Sequence, residues 1–142
     1  MVARPLPPLP GIDPATAPSA DDPGYSDWVE RVGFSPEGVD RMQIWEMLHA
    51  TPTDAQPDTA LVHFLDGAVT FWHTHPGGQQ LFVVRGEARV GTEADGEVRL
   101  GTGTLVVCPP HERHWHGAAP GNDATLLAVT WGTTQWETEA PE

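Results

Sequence analysis

Hydrophobic and polar positions alternate with a period of two from Thr59 onward, which is the pattern of half-buried β-strands. The Asp95-Gly96 pair predicts a hairpin turn between two of these strands. Met42–Leu48 fits a strand or a helix, and the strands that follow it favour the strand. About seven or eight short strands predict an all-β antiparallel sandwich or barrel. The strand segments are TALVHFLDG, AVTFWHTH, QLFVVRG, EARVGTE, ADGEVRL, GTGTLVVCPP, HWHGAA and ATLLAVTW.

The two ends of the chain depart from this pattern. Residues 1–24 hold seven of the fifteen prolines, so we expect an extended arm that is either disordered or wrapped around the domain or a neighbouring subunit. A short helix or turn is expected near Ser26. We predict a single domain over residues 25–132 and an acidic tail over residues 133–142.

Composition narrows the classes of function. The chain has 142 residues and a formal net charge of −13, with no Lys/Arg cluster, which argues against binding of nucleic acid or anionic membranes. A small anionic substrate remains possible, because a bound metal can reverse the local field. Cys108 is the one cysteine, so no internal disulfide forms, and we expect a buried thiol. Neither a signal peptide nor a membrane span is recognisable, and we expect a cytoplasmic protein.

Two pairs of histidines have the spacing that a strand needs to aim both rings at one ion. Alternation puts His73 and His75 on one face of the strand AVTFWHTH, together with Val69 and Phe71. His114 and His116 share a face of the strand HWHGAA. Imidazole is a common ligand of zinc, copper, iron and nickel, so two such pairs predict a metal site.

The remaining histidines are less informative. His49 and His111 are expected on the surface or in loops. His63 shares strand parity with Leu61 and Leu65, so a buried position and a contact with substrate or with a metal ligand are possible.

The types and spacing of these residues resemble those of the cupin superfamily. The first cupin motif, G-x5-H-x-H-x3–4-E-x6-G, matches Gly67, His73, His75 and Gly86, with Gln79 in place of the glutamate. The second motif, G-x5-P-x-G-x2-H-x3-N, matches at its spacing as well. It is carried by Gly103, Pro109 and His114, while His111 replaces the motif glycine and Ala118 the motif asparagine. Because the motif glycine is missing, the resemblance does not predict the conformation of the turn at residues 109–112.

The resemblance implies a jelly-roll barrel, also called a double-stranded β-helix, that holds one divalent transition metal. The implied ligands are His73, His75, Gln79 and His114. Manganese or iron is expected, with zinc or nickel as alternatives. The stretches WHTHPGGQ and HWHGA are most similar to small single-domain cupins that include the manganese-dependent hydroxynitrile lyases. In that group a histidine at the position of His116 faces the substrate and can move protons.

A neutral Gln ligand has a chemical consequence. It leaves the charge of a divalent ion undiminished, which strengthens the ion as a Lewis acid and lowers the pKa of bound water. Proton transfer must then come from a residue that is not a ligand, and His116 is the candidate. Gln79 as a spectator beside three histidines is the alternative. Matching parity predicts a partly apolar substrate pocket lined by Phe71, Leu81, Val83, His63 and Trp131.

Several functions fit these residues. We expect a metal-dependent enzyme with lyase or acid–base chemistry on a small carbonyl or cyanohydrin-like molecule. The alternatives are an iron-dependent dioxygenase, a polyketide-tailoring cupin and a non-catalytic module that binds small molecules. The expected partner is a small-molecule substrate, and the resemblance implies a homodimer or homotetramer.

Overall fold

A computed structural model describes residues 1–5, 25–27, 33–34, 42–48 and 55–141 of the chain. These residues form fourteen β-strands, numbered β1 to β14 in chain order. The strands span Val2–Pro5, Tyr25–Asp27, Gly33–Phe34, Met42–Leu48, Asp58–Phe64, Val69–Thr70, His73–Thr74, Gln79–Gly86, Ala88–Thr92, Gly96–Leu100, Thr104–Cys108, His114–Ala118, Ala124–Thr130 and Gln135–Trp136.

The strands form two antiparallel sheets. The first sheet has the order β1-β11-β8-β13-β5-β4-β2, and the second runs β10-β9-β12-β6-β3, with β7 paired to β12 and β14. Strands β8 and β13 of the first sheet lie side by side from Gln79↔Thr130 to Gly86↔Ala124. Because consecutive residues of a strand face opposite ways, each sheet turns one set of side chains toward the other sheet.

The core consists of the side chains between the sheets. Leu81 and Val83 of β8, Phe64 of β5 and Leu126 of β13 are fully buried from the first sheet. Val90 of β9 is fully buried from the second. These residues belong to one hydrophobic cluster, so the described strands share a single core.

The all-β fold with two sheets confirms the fold class expected from the sequence. Met42–Leu48 is a strand, and the Asp95-Gly96 turn joins the hairpin β9–β10. Ser26 itself lies in a strand, because Tyr25–Asp27 pairs with β4, and residues 28–32 of the stretch expected to form a short helix or turn lie outside the described residues. Within the described ranges, the chain forms no helix of the length and hydrophobicity needed to cross a bilayer.

Both ends of the described chain contribute strands. Val2–Pro5 pairs with Thr104–Val107 of β11, so the beginning of the proline-rich segment adds an edge strand to the first sheet. Gln135–Trp136, in the segment expected to be an acidic tail, pairs with β7. The rest of the expected arm, residues 6–24, and His49 lie outside the described residues. The domain boundaries remain predictions.

The predicted strand AVTFWHTH is interrupted. Gly117 of β12 pairs with Val69, and His114 of β12 pairs with His73. The paired positions are three residues apart on β12 and four residues apart on the segment from Val69 to His73. The extra residue is a β-bulge at Phe71 and Trp72, between β6 and β7. The bulge reverses the alternation, so the expectation that Val69 shares the face of His73 was wrong.

Candidate metal centre

Four buried histidines meet between the two sheets, at the end of β7 and along β12. The ring of His73 lies 4.4 Å from that of His114, 4.9 Å from that of His75 and 5.1 Å from that of His116, measured between centroids. None of the four side chains exceeds 4% exposure. The two H-x-H pairs predicted from the sequence are therefore brought together in one place.

Three of these imidazoles are held through Nδ1. The Nδ1 atoms of His73 and His114 lie 2.8 and 2.9 Å from the backbone carbonyl oxygens of Phe71 and Glu112. Nδ1 of His75 lies 3.0 Å from Oγ1 of Thr134. A carbonyl oxygen only accepts, so His73 and His114 carry their proton on Nδ1, and their Nε2 atoms carry a lone pair. Metal-binding histidines in proteins are commonly oriented in this way.

The Nε2 atoms are left without ordinary partners. Those of His73 and His75 are buried and form no hydrogen bond within the described ranges of the chain. Nε2 of His114 lies 3.1 Å from Oε1 of Gln79, while Nε2 of Gln79 donates to Oγ1 of Thr130 at 2.9 Å. In this orientation two lone-pair atoms face each other. Two atoms bound at right angles to one ion at about 2.1 Å lie about 3 Å apart, so the donor set fits a divalent transition metal.

His116 differs from the other three histidines. It is buried, and neither of its ring nitrogens forms a hydrogen bond with any residue that the structure describes. The ring of Phe64 packs edge-on against it at 5.8 Å between centroids. A ring nitrogen of each of His73, His114 and His116 lies within 4.8 Å of the others, so these three form a possible metal-binding group as well.

The environment keeps these imidazoles neutral. Burial, followed by the neighbouring imidazoles, holds the pKa values of His73 and His116 well below the ordinary value of 6.5. Burial lowers the pKa of His75 to about 3 and also lowers that of His114. Neutral imidazoles offer their lone pairs at neutral pH, as metal ligation and general-base chemistry require.

The turn before His114 keeps the shape expected of the second motif. His111, at the position of the motif glycine, has a φ of 64°, in the left-handed region that glycine adopts easily. Its backbone N–H donates to the carbonyl of His75 at 2.9 Å. The backbone hydrogen bond fixes the turn against the strand of the first motif despite the substitution.

The predicted pocket residues are distributed unevenly. Leu81 and Val83 are fully buried in the core and share the inward face of β8 with Gln79. Phe71 is partly buried in the bulge. Trp131 follows the inward-facing Thr130, and its Cβ packs against the backbone of Gly77 in the turn before β8. Their contact with a substrate remains a prediction.

His63 is 5% exposed, which confirms the expected buried position, but its side chain lies on the other face of the strand from the expected one. Val62 and Phe64 on either side of it belong to the core cluster, so alternation places His63 on the outer face of β5. Its Nδ1 lies 2.7 Å from Oγ1 of Thr125, on the paired position of β13. The inward-facing residues of β5 are Val62 and Phe64, whereas the sequence analysis had assumed the parity of Leu61 and Leu65.

Three residues around the histidines were missed by the sequence analysis. Thr130 could have been found, because it shares strand parity with the apolar Leu126 and Ala128. Trp136 is an aromatic residue in an acidic segment, a sign that this segment packs on the domain; its ring lies 4.4 Å from that of His73. Thr134 carries no such signal, and the pairing of β14 with β7 brings it to His75.

The chain is similar to known proteins in sequence and in fold. The family model described as "Cupin domain" matches residues 60–130. The (R)-mandelonitrile lyase of Granulicella tundricola is 42% identical over 83 residues. That match covers 55% of this chain and 63% of the relative, so the chain matches less than two thirds of the length of this curated protein.

Solved structures share the fold. A cupin-like protein from Thermotoga maritima superposes with a TM-score of 0.73 at 25% identity, covering 88% of this chain and 92% of its own. The DMSP lyase DddQ of Ruegeria pomeroyi gives a TM-score of 0.60 at 18% identity, covering 77% of this chain and 58% of its own. The strand arrangement of the described residues is therefore shared with these solved structures.

Proposed function

The chain belongs to the cupin family, and we propose that it is a metal-dependent lyase that acts on small cyanohydrin-like or carbonyl compounds. The observation that carries the proposal is the difference between the site histidines. Three have one ring nitrogen anchored, whereas His116 is buried beside them and neither of its ring nitrogens has a hydrogen-bond partner in the described part of the chain.

We propose that His73, His75, His114 and Gln79 hold the metal. The support is the anchoring of the three imidazoles through Nδ1, and the orientation of the Gln79 amide by Thr130. His116 in place of His75 is the alternative ligand, because its nitrogen lies within reach of those of His73 and His114. We favour His75, because no hydrogen bond orients the ring of His116.

The bound divalent ion, manganese or iron in our proposal and zinc or nickel as alternatives, supplies Lewis-acid polarisation of a substrate oxygen. His116 supplies the acid–base function. For a cyanohydrin, the neutral His116 takes the proton of the substrate hydroxyl as the carbonyl forms. The C–CN bond breaks, and cyanide leaves with the electron pair. The imidazolium then returns the proton to cyanide, and the reverse sequence builds the cyanohydrin.

The apolar residues beside His116 and one relative support the proposed substrate class. Phe64 packs on the ring of His116, and the inward face of β8 continues with Leu81 and Val83. Apolar walls of this kind favour an apolar or aromatic group on the substrate. The Granulicella protein is named for mandelonitrile, an aromatic cyanohydrin, which supports the same class here.

An oxygen-dependent function is the second candidate. A set of three neutral imidazoles and one amide suits iron(II) as well as manganese. The deciding measurement is oxygen uptake during turnover by protein loaded with either metal. Turnover without oxygen uptake and with both metals supports the lyase, whereas turnover that consumes oxygen and requires iron supports a dioxygenase.

The test of the proposed chemistry is the release of aldehyde and cyanide from an aromatic cyanohydrin by the metal-loaded protein. We expect His116→Ala to lower kcat by about 10²- to 10⁴-fold, the usual contribution of a general base. His111→Gly, which changes an exposed histidine, is the control and should retain the wild-type rate. No cleavage by the metal-loaded wild type, or an unchanged rate in His116→Ala, contradicts the proposal.

A further inference from the structure

We propose that the segment Thr134–Glu139 is part of the metal centre, and that Thr134 is a positioning residue that holds the imidazole of His75. The proposal rests on the metal-binding role of His75 in the proposed function. It assigns a role in metal affinity to a segment that lies beyond β13 and beyond both histidine motifs.

The first support is the contact between Thr134 and His75. Nδ1 of His75 lies 3.0 Å from Oγ1 of Thr134, and the buried Nε2 of His75 forms no hydrogen bond with the residues that the structure describes. For Nε2 to offer its lone pair, the neutral ring must carry its proton on Nδ1, which then donates to the Thr134 hydroxyl. The hydroxyl thereby favours the tautomer and the ring orientation that ligation requires.

His75 depends on this contact in a way that the neighbouring histidines do not. His73 and His114 are each anchored by the backbone carbonyl of the residue two positions earlier. No substitution removes a backbone carbonyl. The anchor of His75 is a side chain 59 positions away in sequence, so it can be deleted without changing the strand that carries the histidine.

Backbone pairing places Thr134 next to His75. Gln135 and Trp136 of β14 pair with Thr74 and His73 of β7, directly beside the ligand pair. The ring of Trp136 lies 4.4 Å from the ring of His73. The segment therefore lies directly against the first H-x-H pair.

A second set of contacts fastens the far end of the segment. Glu137 N–H donates to the carbonyl of Trp72 at 2.9 Å, and Trp72 N–H donates to the carbonyl of Glu139 at 3.1 Å. Arg113 donates to both carboxylate oxygens of Glu137 and to Glu139, each at 2.8 Å. Its guanidinium also lies 4.1 Å from the ring centre of Trp72. Because Arg113 immediately precedes His114, the segment is joined to both ligand-bearing strands.

The test compares two neighbouring threonines. Thr134→Val removes the hydroxyl while keeping the shape of the side chain, and Thr133→Val makes the same change at an exposed neighbour. Thr134→Ser keeps a hydroxyl. The dissociation constants of Mn²⁺ and Co²⁺ are measured by competition with a chromogenic chelator, and the visible absorption of the Co²⁺ protein reports the ligand field. The melting temperature of the metal-free protein reports any structural loss.

We expect Thr134→Val to weaken metal binding by about 10- to 100-fold and to shift the Co²⁺ absorption, as loss of a hydrogen bond to a ligand does. Thr134→Ser and Thr133→Val should stay near the wild type, and all metal-free proteins should melt alike. If the Thr134→Val protein melts early, Thr134→Ala carries the same comparison. Equal affinities for Thr134→Val and Thr133→Val overturn the role of Thr134 alone, whereas a wild type that binds neither metal overturns this proposal and the proposed function together.

Discussion

Nε2 of His114 and Oε1 of Gln79 lie 3.1 Å apart. A hydrogen bond from the other nitrogen of each side chain fixes the orientation of that side chain. The imidazole donates through Nδ1 to the carbonyl of Glu112, and the amide donates through Nε2 to the hydroxyl of Thr130. Two atoms that both carry lone pairs are therefore held at a short distance inside the core. A cation between them turns this arrangement from repulsive to favourable, which is why we propose Gln79 as a ligand.

Replacing Gln79 tests this pairing. Gln79→Ala removes the amide oxygen, and we expect metal affinity to fall by about 10- to 100-fold, measured by chelator competition. Gln80→Ala is the matched control, because Gln80 is exposed on the opposite face of β8. Similar metal affinity in the two variants would mean that Gln79 is a spectator beside a three-histidine site.

The turn at His111 predicts a gain in stability. His111 is exposed and has a φ of 64°, where a side chain is strained by about 1–2 kcal/mol and glycine is not. The greater freedom of glycine in the unfolded chain offsets part of that gain. We expect His111→Gly to raise the free energy of unfolding by about 0.5 kcal/mol, measured by urea denaturation of the metal-free protein. A clear loss of stability would show that the His111 side chain supports the turn.

The contact of Arg113 with Glu137 predicts a dependence of stability on pH. Hydrogen bonding to Arg113 lowers the pKa of Glu137 in the folded protein. Because this pKa is lowered, the contact stabilises the folded protein at pH values above the ordinary carboxyl pKa of 4.5. This stabilisation is lost as the pH falls through the pKa that Glu137 has in the folded protein. At pH 7 we expect Arg113→Gln to lower the free energy of unfolding by about 0.5–1 kcal/mol, the range for partly exposed ion pairs.

Urea denaturation of both proteins at pH 7 and near pH 3 tests this sign. The difference between wild type and Arg113→Gln should shrink at the lower pH, where Glu137 becomes protonated. Arg99→Gln, at an exposed position on β10, serves as the control for loss of one positive charge. A difference between wild type and Arg113→Gln that grows toward low pH would contradict the assigned contact.

The sequence predicted the site residues whose positions follow from the two-residue alternation along a strand. The H-x-H pairs could be placed because alternation along a strand carries His73 and His75, or His114 and His116, to one side without any tertiary information. The resemblance to the first cupin motif then placed Gln79 beside them. The structure brings these five residues together.

The features that were missed depend on events that break the period or join distant segments. One extra residue at Phe71 and Trp72 reverses the face of β6 relative to β7. The residue types at this bulge do not indicate it in the sequence. The face of His63 was misjudged because Leu61 and Leu65 are apolar like Val62 and Phe64, so alternation gave two equally apolar faces. Thr134 reaches His75 only through the pairing of β14 with β7, which a local pattern cannot encode.

The metal content of two variants tests most directly whether His75 holds the metal and His116 serves the substrate. Wild type, His75→Ala and His116→Ala are purified alike, loaded with Mn²⁺, dialysed and measured by elemental analysis. We predict about one metal per chain in the wild type and in His116→Ala, and a strong loss in His75→Ala. Retention of metal by His75→Ala together with its loss from His116→Ala would contradict this assignment.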